Sequence, residues 1–569
     1  MSFEKSVSLL WPEDALPPAA RSDGYSMADL TLENIVRRLS LENRYERHVR
    51  TILNTPSDDV QVLEYRQEVI EDLLRAPQLA DGLENVLEAI VALERYMNEP
   101  QWQESELRKV AWRLSELENY VGCIDQLDAL LQDAGSSVQS KALCRLREMV
   151  QSIASEPLFQ NLKAELPALL TQIRGIKSIT IGVNLDGQLR PVEATLLSIN
   201  TERFKGDAST LLSRIFGQNH VRDDNEGIGP LHRARDDMGF FSARLPERDN
   251  PLMHPLFRDL ADIMDQISRP IAQALRGYTR ITGRVLVALE KEMAFYLGAA
   301  RMIRHLQQAG LPMCRPEIAP MDERVCILRD LFNINLALQL DSDEERHLSA
   351  EVVVNDVDFS NEGRVFILTG PNRGGKTTYT QAVGLAHVLF QAGLYVPARS
   401  ARMSPVDAIF THFAAEERPD LETGRLGEEA RRLSEIFAQA TRYSLILMNE
   451  SLASTSAGES LYLARDIVRV IRSLGARAIF ATHLHELAAD CDSINADTPG
   501  ASKVVSLVSM VKLEQNGDGQ VARRTYKIVP SPPMGMSYAR EIAARYGISF
   551  EQLMDTLRER KVLEAETET

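Results

Sequence analysis

The sequence predicts a mainly α-helical region with a small β-sheet, followed by an α/β domain. Three observations support this prediction. In the first part of the chain, apolar residues recur at three- and four-residue spacing, as they do on the buried face of a helix. From Lys177 they alternate with polar or small residues, which is typical of strands. After Pro320, short apolar runs alternate with loops and helical patterns, which indicates α/β structure.

The helical region is predicted to cover residues 28–320. Residues 1–27 are predicted to form an extended N-terminal arm, because Pro12, Pro17 and Pro18 would interrupt any helix there. Two rows of apolar residues then mark helices: Leu83, Val86, Leu87, Ile90 and Leu93, and Leu107, Val110, Leu114, Leu117, Val121 and Ile124. The second row has the spacing of a coiled-coil seam, and a seam of this kind could bind a helix of a partner. The row is too short for a long coiled coil, however. We therefore interpret it as the core stripe of a helical bundle.

The small sheet is predicted where Ile179, Ile181 and Val183 alternate with polar or small residues and Asp186-Gly187 signals a turn. Helix returns from about Pro255, and a long helix ends near Gly310. One face of that helix carries Leu286, Leu289, Met293, Leu297 and Ala300. These apolar residues are expected to be core.

Residues 201–250 lose clear periodicity, and we interpret them as a long exposed loop or an insertion. Their basic side chains are of a type that contacts phosphate: Arg222, His232, Arg233 and Arg235. Acidic neighbours balance them: Asp223, Asp224, Asp236 and Asp237. A solvated loop is therefore the favoured interpretation.

Composition excludes several classes of protein. With 44% apolar and 25% charged residues, the 569-residue chain has the composition of an ordinary globular protein. We find no apolar run of the roughly 18 residues that span a bilayer, and the N-terminus does not resemble a signal peptide. The five cysteines are scattered without a CxxC pair, which suits a reducing compartment. We therefore expect a cytoplasmic protein with no membrane partner. Because the net charge is −17, any contact with nucleic acid must use a local basic patch.

The most informative motif lies in the α/β part, in the stretch RVFILTGPNRGGKTT from Arg364 to Thr378. A short apolar run predicts a strand buried on both faces. Gly370, Gly375, Lys376 and Thr377 follow it and fit GxxxxGK[ST], the phosphate-binding loop. Such a loop directs backbone N–H groups at phosphate, while its lysine reaches the β- and γ-phosphates and its hydroxyl ligates Mg²⁺. A chance glycine turn is the alternative, but the strand, loop and helix stand in the right order.

Two further strand ends carry polar residues. The apolar run 445–448 ends in Asn449-Glu450, where a second nucleotide motif has Asp and Glu. The Asp of that motif holds Mg²⁺, and the Glu is placed to polarise the attacking water. The run 478–480 is followed closely by His483. This histidine could contact a γ-phosphate, or it could be a structural residue whose hydrogen bonds are all made within the protein. Its position behind the other two motifs favours the phosphate contact.

Taken together, these motifs resemble the ATPase domain of the MutS family of DNA mismatch-repair ATPases. The resemblance rests on the strings GPNRGGKTT, YSLILMNES, STSAGES and FATHLHEL, and on flanking blocks such as TPSDDVQVLEYRQEVIEDLL and LEKEMAFYLGAARMIRHL. It implies a core and lever domain from about Leu30 to residue 320. It also implies an α/β ABC-type P-loop ATPase domain over residues 321–569. The cofactors would be ATP and Mg²⁺.

The resemblance also implies site residues. The triphosphate would be held by Gly370, Pro371, Asn372, Arg373, Gly374, Gly375, Lys376, Thr377 and Thr378. Thr377 and Asn449 would hold the metal, Glu450 would be the catalytic base, and His483 would contact the γ-phosphate. The helix start at Gly424–Gly427 and the loop Ser454–Ser456 would contact a second subunit.

Three departures from the family pattern bear on function. Asn449 stands where the family has Asp, so slow turnover is expected unless the change is a neutral variant. From the length of the sequence before the core we expect no mismatch-reading or connector domain, and residues 201–250 are short for the DNA clamp. We likewise expect no nuclease domain after the ATPase part.

The retained core and lever blocks favour a nucleotide-switched homodimer that binds duplex or junction DNA, with little preference for mismatches because no mismatch-reading domain is expected. Asn449, the expected lack of that domain and the net charge of −17 instead favour an alternative. The alternative is an ATP-switched regulatory or scaffolding protein. It would act on a protein, RNA or ribosome partner with slow or no turnover.

Overall fold

The computed structural model describes residues 7–13, 15, 26–98, 106–206, 226–227, 265–266, 268–279, 281, 283–341, 348–414, 424–500, 502–516, 519–533 and 547–560. The chain forms two compact units, each built from separate segments. The first contains Met1–Glu84, Ala134–Leu146 and Lys291–Thr569, and the second contains Asn85–Asp133 and Arg147–Glu290. The boundaries inferred at residues 27 and 320 stay a prediction.

The structure is mixed helical and α/β, as the sequence predicts. Its α-helices are α1 Ser26–Asp29, α2 Leu32–Leu39, α3 Glu46–Asn54, α4 Val60–Arg75, α5 Pro77–Asn98, α6 Glu106–Ala134, α7 Lys141–Ala154, α8 Pro157–Arg174, α9 Arg284–Gln308, α10 Ile334–Leu340, α11 Leu348–Glu351, α12 Lys376–Gln391, α13 Gly424–Gln439, α14 Ala457–Leu474, α15 His485–Ala489, α16 Cys491–Asp497 and α17 Phe550–Glu559. Within the described ranges, no helix is both long and apolar enough to cross a membrane.

The strands form separate sheets. They are β1 Ser178–Leu185, β2 Pro191–Asn200, β3 Lys205–Gly206, β4 Glu226–Gly227, β5 Glu317–Ile318, β6 Cys326–Leu331, β7 Asn355–Phe359, β8 Val365–Thr369, β9 Ser400–Met403, β10 Ile409–Phe413, β11 Leu445–Asn449, β12 Arg477–Ala481, β13 Val504–Asn516 and β14 Gly519–Pro530. The largest sheet has the order β10-β11-β12-β8-β13-β14, and a smaller one has the order β5-β9-β6-β7.

The large sheet is the framework of the first unit. Five of its strands are parallel, and β14 pairs antiparallel with β13. Every residue of β8, β10, β11 and β12 is buried, as expected for parallel strands covered on both faces. Apolar side chains of α14 and α15 pack on this sheet in one core, which includes Val468 and Leu487. Parallel strands end at the same edge, so the residues after β8, β11 and β12 lie close together.

The described part of the N-terminal arm packs against helices of the first unit. Leu9 and Leu10 are buried. The Leu9 N–H donates to the Glu292 carboxylate over 2.6 Å, and Arg66 Nε donates to the Leu10 carbonyl oxygen over 3.1 Å. The buried Arg66 guanidinium also lies 4.3 Å from the centre of the Trp11 ring. This part of the arm is therefore fixed by hydrogen bonds and apolar burial.

The two apolar rows of the helical region are buried, as a core stripe requires: Leu83, Val86, Leu87, Ile90 and Leu93 in α5, and Val110, Leu114, Leu117, Val121 and Ile124 in α6. The side chain of Leu107 lies outside the described residues. The apolar face of α9 is also buried, and α9 ends at Gln308, two residues before Gly310.

In the second unit, β1 and β2 form an antiparallel hairpin whose turn contains Asp186 and Gly187, as the alternating pattern predicts. Beyond the hairpin, the structure describes the short pair β3 and β4. The basic residues considered for phosphate contact lie outside the described residues: Arg222, His232, Arg233 and Arg235.

Gly298 allows α9 to approach the end of α2, and replacing it with alanine is expected to destabilise the first unit. A Cβ atom at this position would lie 1.8 Å from the carbonyl oxygen of Leu39, so backbone must move. Overpacking of this kind costs roughly 1–3 kcal/mol, which thermal unfolding measures as a lower Tm. The control is Gly458→Ala in the first turn of α14, where nothing lies within 4 Å of the added Cβ. An unchanged Tm for Gly298→Ala would contradict the close approach.

Candidate functional site

The glycine-rich loop joins β8 to α12 at the carboxyl edge of the large sheet. Its backbone requires left-handed conformations at Gly370, Arg373 and Gly375, where φ is 141°, 58° and 93°. The Tyr379 N–H donates to the Gly375 carbonyl oxygen over 2.9 Å. The amides of residues 376–378 precede this bond and have no acceptor one turn earlier in the helix. The loop therefore presents the N-terminus of a 16-residue helix toward the edge of the sheet.

Lys376 is buried at the start of α12. Its Nζ donates to the carbonyl oxygens of Gly370 and Pro371 over 3.0 and 3.2 Å. Burial lowers the pKa of Lys376, and the nearby Glu450 charge opposes that shift. The ammonium group is therefore held inside the loop by neutral acceptors, which are weaker partners than phosphate oxygens would be.

Thr377 and Asn449 meet across the site. The Thr377 hydroxyl donates to Asn449 Oδ1 over 3.1 Å, which joins the first turn of α12 to the end of β11. Asn449 is buried, so its amide side chain is held in place. Both side chains present oxygen, the type of ligand that Mg²⁺ prefers. The structure therefore brings together the two residues inferred to bind metal.

Glu450 and His483 also meet. Glu450 Oε1 lies 3.0 Å from His483 Nε2, and both side chains are partly exposed. The Glu450 N–H donates to the Ala481 carbonyl oxygen over 2.8 Å, which fastens the end of β11 to the end of β12. Glu450 itself adopts a left-handed backbone conformation with φ 54°, which costs of order 1–3 kcal/mol in a residue other than glycine. The carboxylate is thus directed by its backbone and restrained by a histidine.

Two residues of the C-terminal hairpin support the loop, and no local pattern in the sequence indicates either of them. Ser509 in β13 donates its hydroxyl to the Gly374 carbonyl oxygen over 2.6 Å. A Cβ atom on Gly370 would lie 2.7 Å from the Cβ of Ser509, so this glycine is needed for the approach. Tyr526 in β14 packs beside Gly375, with its Cδ1 3.4 Å from a Cβ built there. Their contact with the loop arises only from sheet pairing.

The elements inferred to contact a second subunit are helix starts. Helix α13 begins at Gly424. Ser456 caps α14, because its hydroxyl accepts a hydrogen bond from the Glu459 N–H and donates to the Glu459 carboxylate over 3.0 Å. The Glu459 carboxylate also accepts a hydrogen bond from the Ser456 backbone N–H, which completes a capping box. It fixes the loop that contains Ser454–Ser456, whose contact with another subunit stays a prediction.

The residues present fit a nucleoside triphosphate with Mg²⁺. The left-handed glycines and the free first turn of α12 form an anion nest, Lys376 supplies a positive charge, and Thr377 and Asn449 supply oxygen ligands. Among the described residues, no group of three or more His, Cys, Asp or Glu side chains could hold a metal ion. Mg²⁺ in nucleotide sites needs no such cage, since it keeps water and phosphate ligands.

Comparisons with known proteins match both parts of the chain. The family model for the MutS2 N-terminal domain matches residues 58–309, and the model for MutS domain V matches residues 366–544. Together they cover about three quarters of the chain. The second match contains the glycine-rich loop and both polar strand ends.

Comparison with curated proteins indicates the same family as the domain models. The chain is 26% identical over 516 residues to the DNA mismatch repair protein MutS of Chlorobaculum tepidum, covering 84% of this chain and 54% of that protein. It is 39% identical over 145 residues to the DNA mismatch repair protein MutS 2 of Halobacterium salinarum, covering 25% and 17%. The chain thus spans at most about half the length of these relatives. The matches to both domain models and to these relatives establish that this chain is a member of the MutS family.

Proposed function

We propose that the chain is an ATPase of the ABC type that binds ATP with Mg²⁺ and acts on DNA as a nucleotide-switched dimer in the cytoplasm. The proposal rests on one observation: functional residues at the ends of three strands lie close together. Lys376 and Thr377 follow β8, β11 ends at Asn449 with Glu450 directly after it, and His483 follows β12. A phosphate nest, oxygen ligands and a carboxylate at one edge are what phosphoryl transfer to water requires.

In this proposal the chain's own residues first bind the triphosphate. Lys376 exchanges the carbonyl oxygens of Gly370 and Pro371 for phosphate oxygens, and the amides of residues 376–378, which have no acceptor in the helix, donate to the phosphates. The Thr377 hydroxyl and Asn449 Oδ1 would hold Mg²⁺, which would replace the hydrogen bond between these two oxygens. Mg²⁺, when bound, neutralises charge on the phosphates.

Hydrolysis then depends on Glu450 and His483. Glu450 accepts a proton from the attacking water, which requires that its carboxylate be free to hydrogen-bond that water. His483 now contacts the same carboxylate, so its move toward the γ-phosphate would release Glu450. The 3.0 Å contact therefore suggests that nucleotide binding exchanges one partner of His483 for another.

DNA binding distinguishes this proposal from a switch that acts on a protein, RNA or ribosome partner. Fluorescence anisotropy with duplex, mismatch and junction DNA and an RNA hairpin, with and without ATP, tests it over a salt series. Contacts with several phosphates should weaken DNA binding by about 10³ or more between 50 and 200 mM salt. Tight binding to RNA alone, or to none of the probes, would favour the alternative.

Asn449→Asp is expected to raise the rate of ATP hydrolysis at limiting Mg²⁺. Asn offers a neutral carbonyl oxygen, whereas Asp brings a negative charge to the metal. We therefore expect a lower Mg²⁺ requirement in the variant, measured as the Mg²⁺ concentration that gives half-maximal phosphate release. The control is Asn361→Asp at the amino edge of the sheet. If Asn449→Asp leaves both the rate and the Mg²⁺ dependence unchanged, the proposal of slow turnover fails.

A further inference from the structure

The chain turns sharply directly after β11, and we call residues 450–452 the Glu450 turn. Glu450 and Leu452 both have left-handed backbones, with φ 54° and 65°. Residues other than glycine rarely adopt this conformation, so neighbouring contacts must hold it. Ser460 provides one such contact, since its hydroxyl donates to the Leu452 carbonyl oxygen over 2.6 Å.

Ser451 provides the other contacts that hold the Glu450 turn. Its hydroxyl lies 2.7 Å from His412 Nδ1 and 3.0 Å from the His412 backbone carbonyl oxygen. Ser451 is 3% exposed and His412 is 1% exposed. A hydroxyl so deeply buried cannot attack a soluble substrate. The pair instead ties the Glu450 turn to β10, the strand next to β11.

The imidazole of His412 also faces helix α13. Its Nε2 lies 3.3 Å from the Glu429 carbonyl oxygen. Burial, together with the charge of Arg432, lowers the pKa of His412 to about 4, so the ring is neutral at neutral pH and carries one N–H. With that proton on Nε2, the ring donates to the Glu429 carbonyl, and the single proton of the Ser451 hydroxyl is shared between Nδ1 and the His412 carbonyl oxygen. This tautomer joins α13, His412 and Ser451 in one chain of hydrogen bonds.

Arg432 fastens the same helix to β10 on both sides of His412. Its guanidinium donates to the carbonyl oxygens of Thr411 and Phe413 over 2.7 and 3.3 Å. A displacement of α13 must therefore move β10 or break these bonds. Either event changes the position of the imidazole that holds Ser451.

We propose that His412 and Ser451 are a positioning pair that couples helix α13 to the orientation of Glu450. The inference rests on the proposed function, because it assigns Glu450 the role of base. It adds a means of regulation: a partner that shifts α13 alters hydrolysis without touching the nucleotide. Neither residue contacts the reacting atoms, so both act through the backbone of the Glu450 turn.

The test compares Ser451→Ala with Ser451→Thr, which keeps the hydroxyl. In the full chain we expect Ser451→Ala to lower the single-turnover hydrolysis rate about tenfold or more, because displacing a catalytic group by about 1 Å costs up to about a hundredfold. The affinity for a fluorescent ATP analogue should stay within about twofold, and Ser451→Thr should restore the rate. A control, Ser404→Ala, removes a buried hydroxyl at the amino edge of the sheet, where the Ser404 carbonyl accepts from Arg477 over 2.9 Å. It should leave the rate unchanged.

His412→Asn tests the link to α13. The asparagine amide can replace Nδ1 toward Ser451 but cannot reach Glu429, so we expect a lower hydrolysis rate with unchanged nucleotide affinity. A wild-type rate in His412→Asn would overturn the link, and a wild-type rate in Ser451→Ala would overturn the pair. If rate and affinity fall together in Ser451→Ala, the role is merely structural and the inference also fails. The proposed function fails if the wild-type protein does not hydrolyse ATP, or if Lys376→Ala hydrolyses ATP at the wild-type rate. In either case this inference fails with it.

Discussion

Lys376→Ala is expected to abolish tight ATP binding. The ammonium is the main side-chain charge directed at the phosphates, and charge-assisted hydrogen bonds are worth roughly 1.5–3 kcal/mol each. Losing two such contacts corresponds to an affinity at least about a hundredfold weaker, since about 1.4 kcal/mol is a factor of ten. Titration with a fluorescent ATP analogue, with phosphate release measured in parallel, checks the prediction.

A matched control for Lys376→Ala is Lys503→Ala. Lys503 is an exposed lysine that pairs with Glu362 over 3.0 Å at the amino edge of the sheet, away from the loop. Its removal should leave ATP affinity unchanged, because exposed ion pairs contribute little. Because Lys376 is buried, circular dichroism and Tm must show that Lys376→Ala remains folded. Unchanged affinity in the folded variant would remove the basis for the ATP site.

Glu450→Gln is expected to stop hydrolysis while ATP remains bound. Glutamine keeps the size of the side chain but cannot accept the proton of water, and a general base contributes about 10²–10⁴ in rate. The contact with His483 can survive in neutral form, so the site should keep its shape. Single-turnover hydrolysis and analysis of the nucleotide that stays bound after gel filtration measure the two effects separately.

Glu362→Gln serves as the control for Glu450→Gln, because Glu362 is an exposed carboxylate on the opposite edge of the sheet. It should hydrolyse ATP at the wild-type rate. A Glu450→Gln protein that hydrolyses ATP normally would show that another group activates the water. Loss of ATP binding in this variant would instead assign Glu450 a role in the nucleotide site itself.

The Glu450–His483 contact gives these two experiments a common interpretation. His483 Nε2 lies 3.0 Å from the carboxylate that the proposal assigns as base and restrains it. Lys376 is likewise held by carbonyl oxygens of its own loop. Both side chains thus have internal partners that a triphosphate would displace. This arrangement predicts that binding comes before hydrolysis, and that each step can be removed by a different substitution.

The sequence by itself determined the family, the mixed fold and the identity of the residues at the strand ends. These are local features. A buried parallel strand reads as a continuous apolar run, a phosphate loop has fixed spacing, and helices show three- and four-residue periodicity. Each can be recognised within about 20 residues of chain. For this reason local patterns are enough to predict the positions of Lys376, Thr377, Asn449, Glu450 and His483 at strand ends.

Only the tertiary structure decided which of these residues touch. The strand order places β8 between β12 and β13, although β12 and β13 lie more than a hundred residues later. That pairing brings Ser509 to Gly374, and neighbouring strand ends bring Glu450 to His483. The pairing of β10 with β11 likewise sets His412 against Ser451. Sheet order is fixed by the packing of long-range apolar surfaces, which no local pattern encodes.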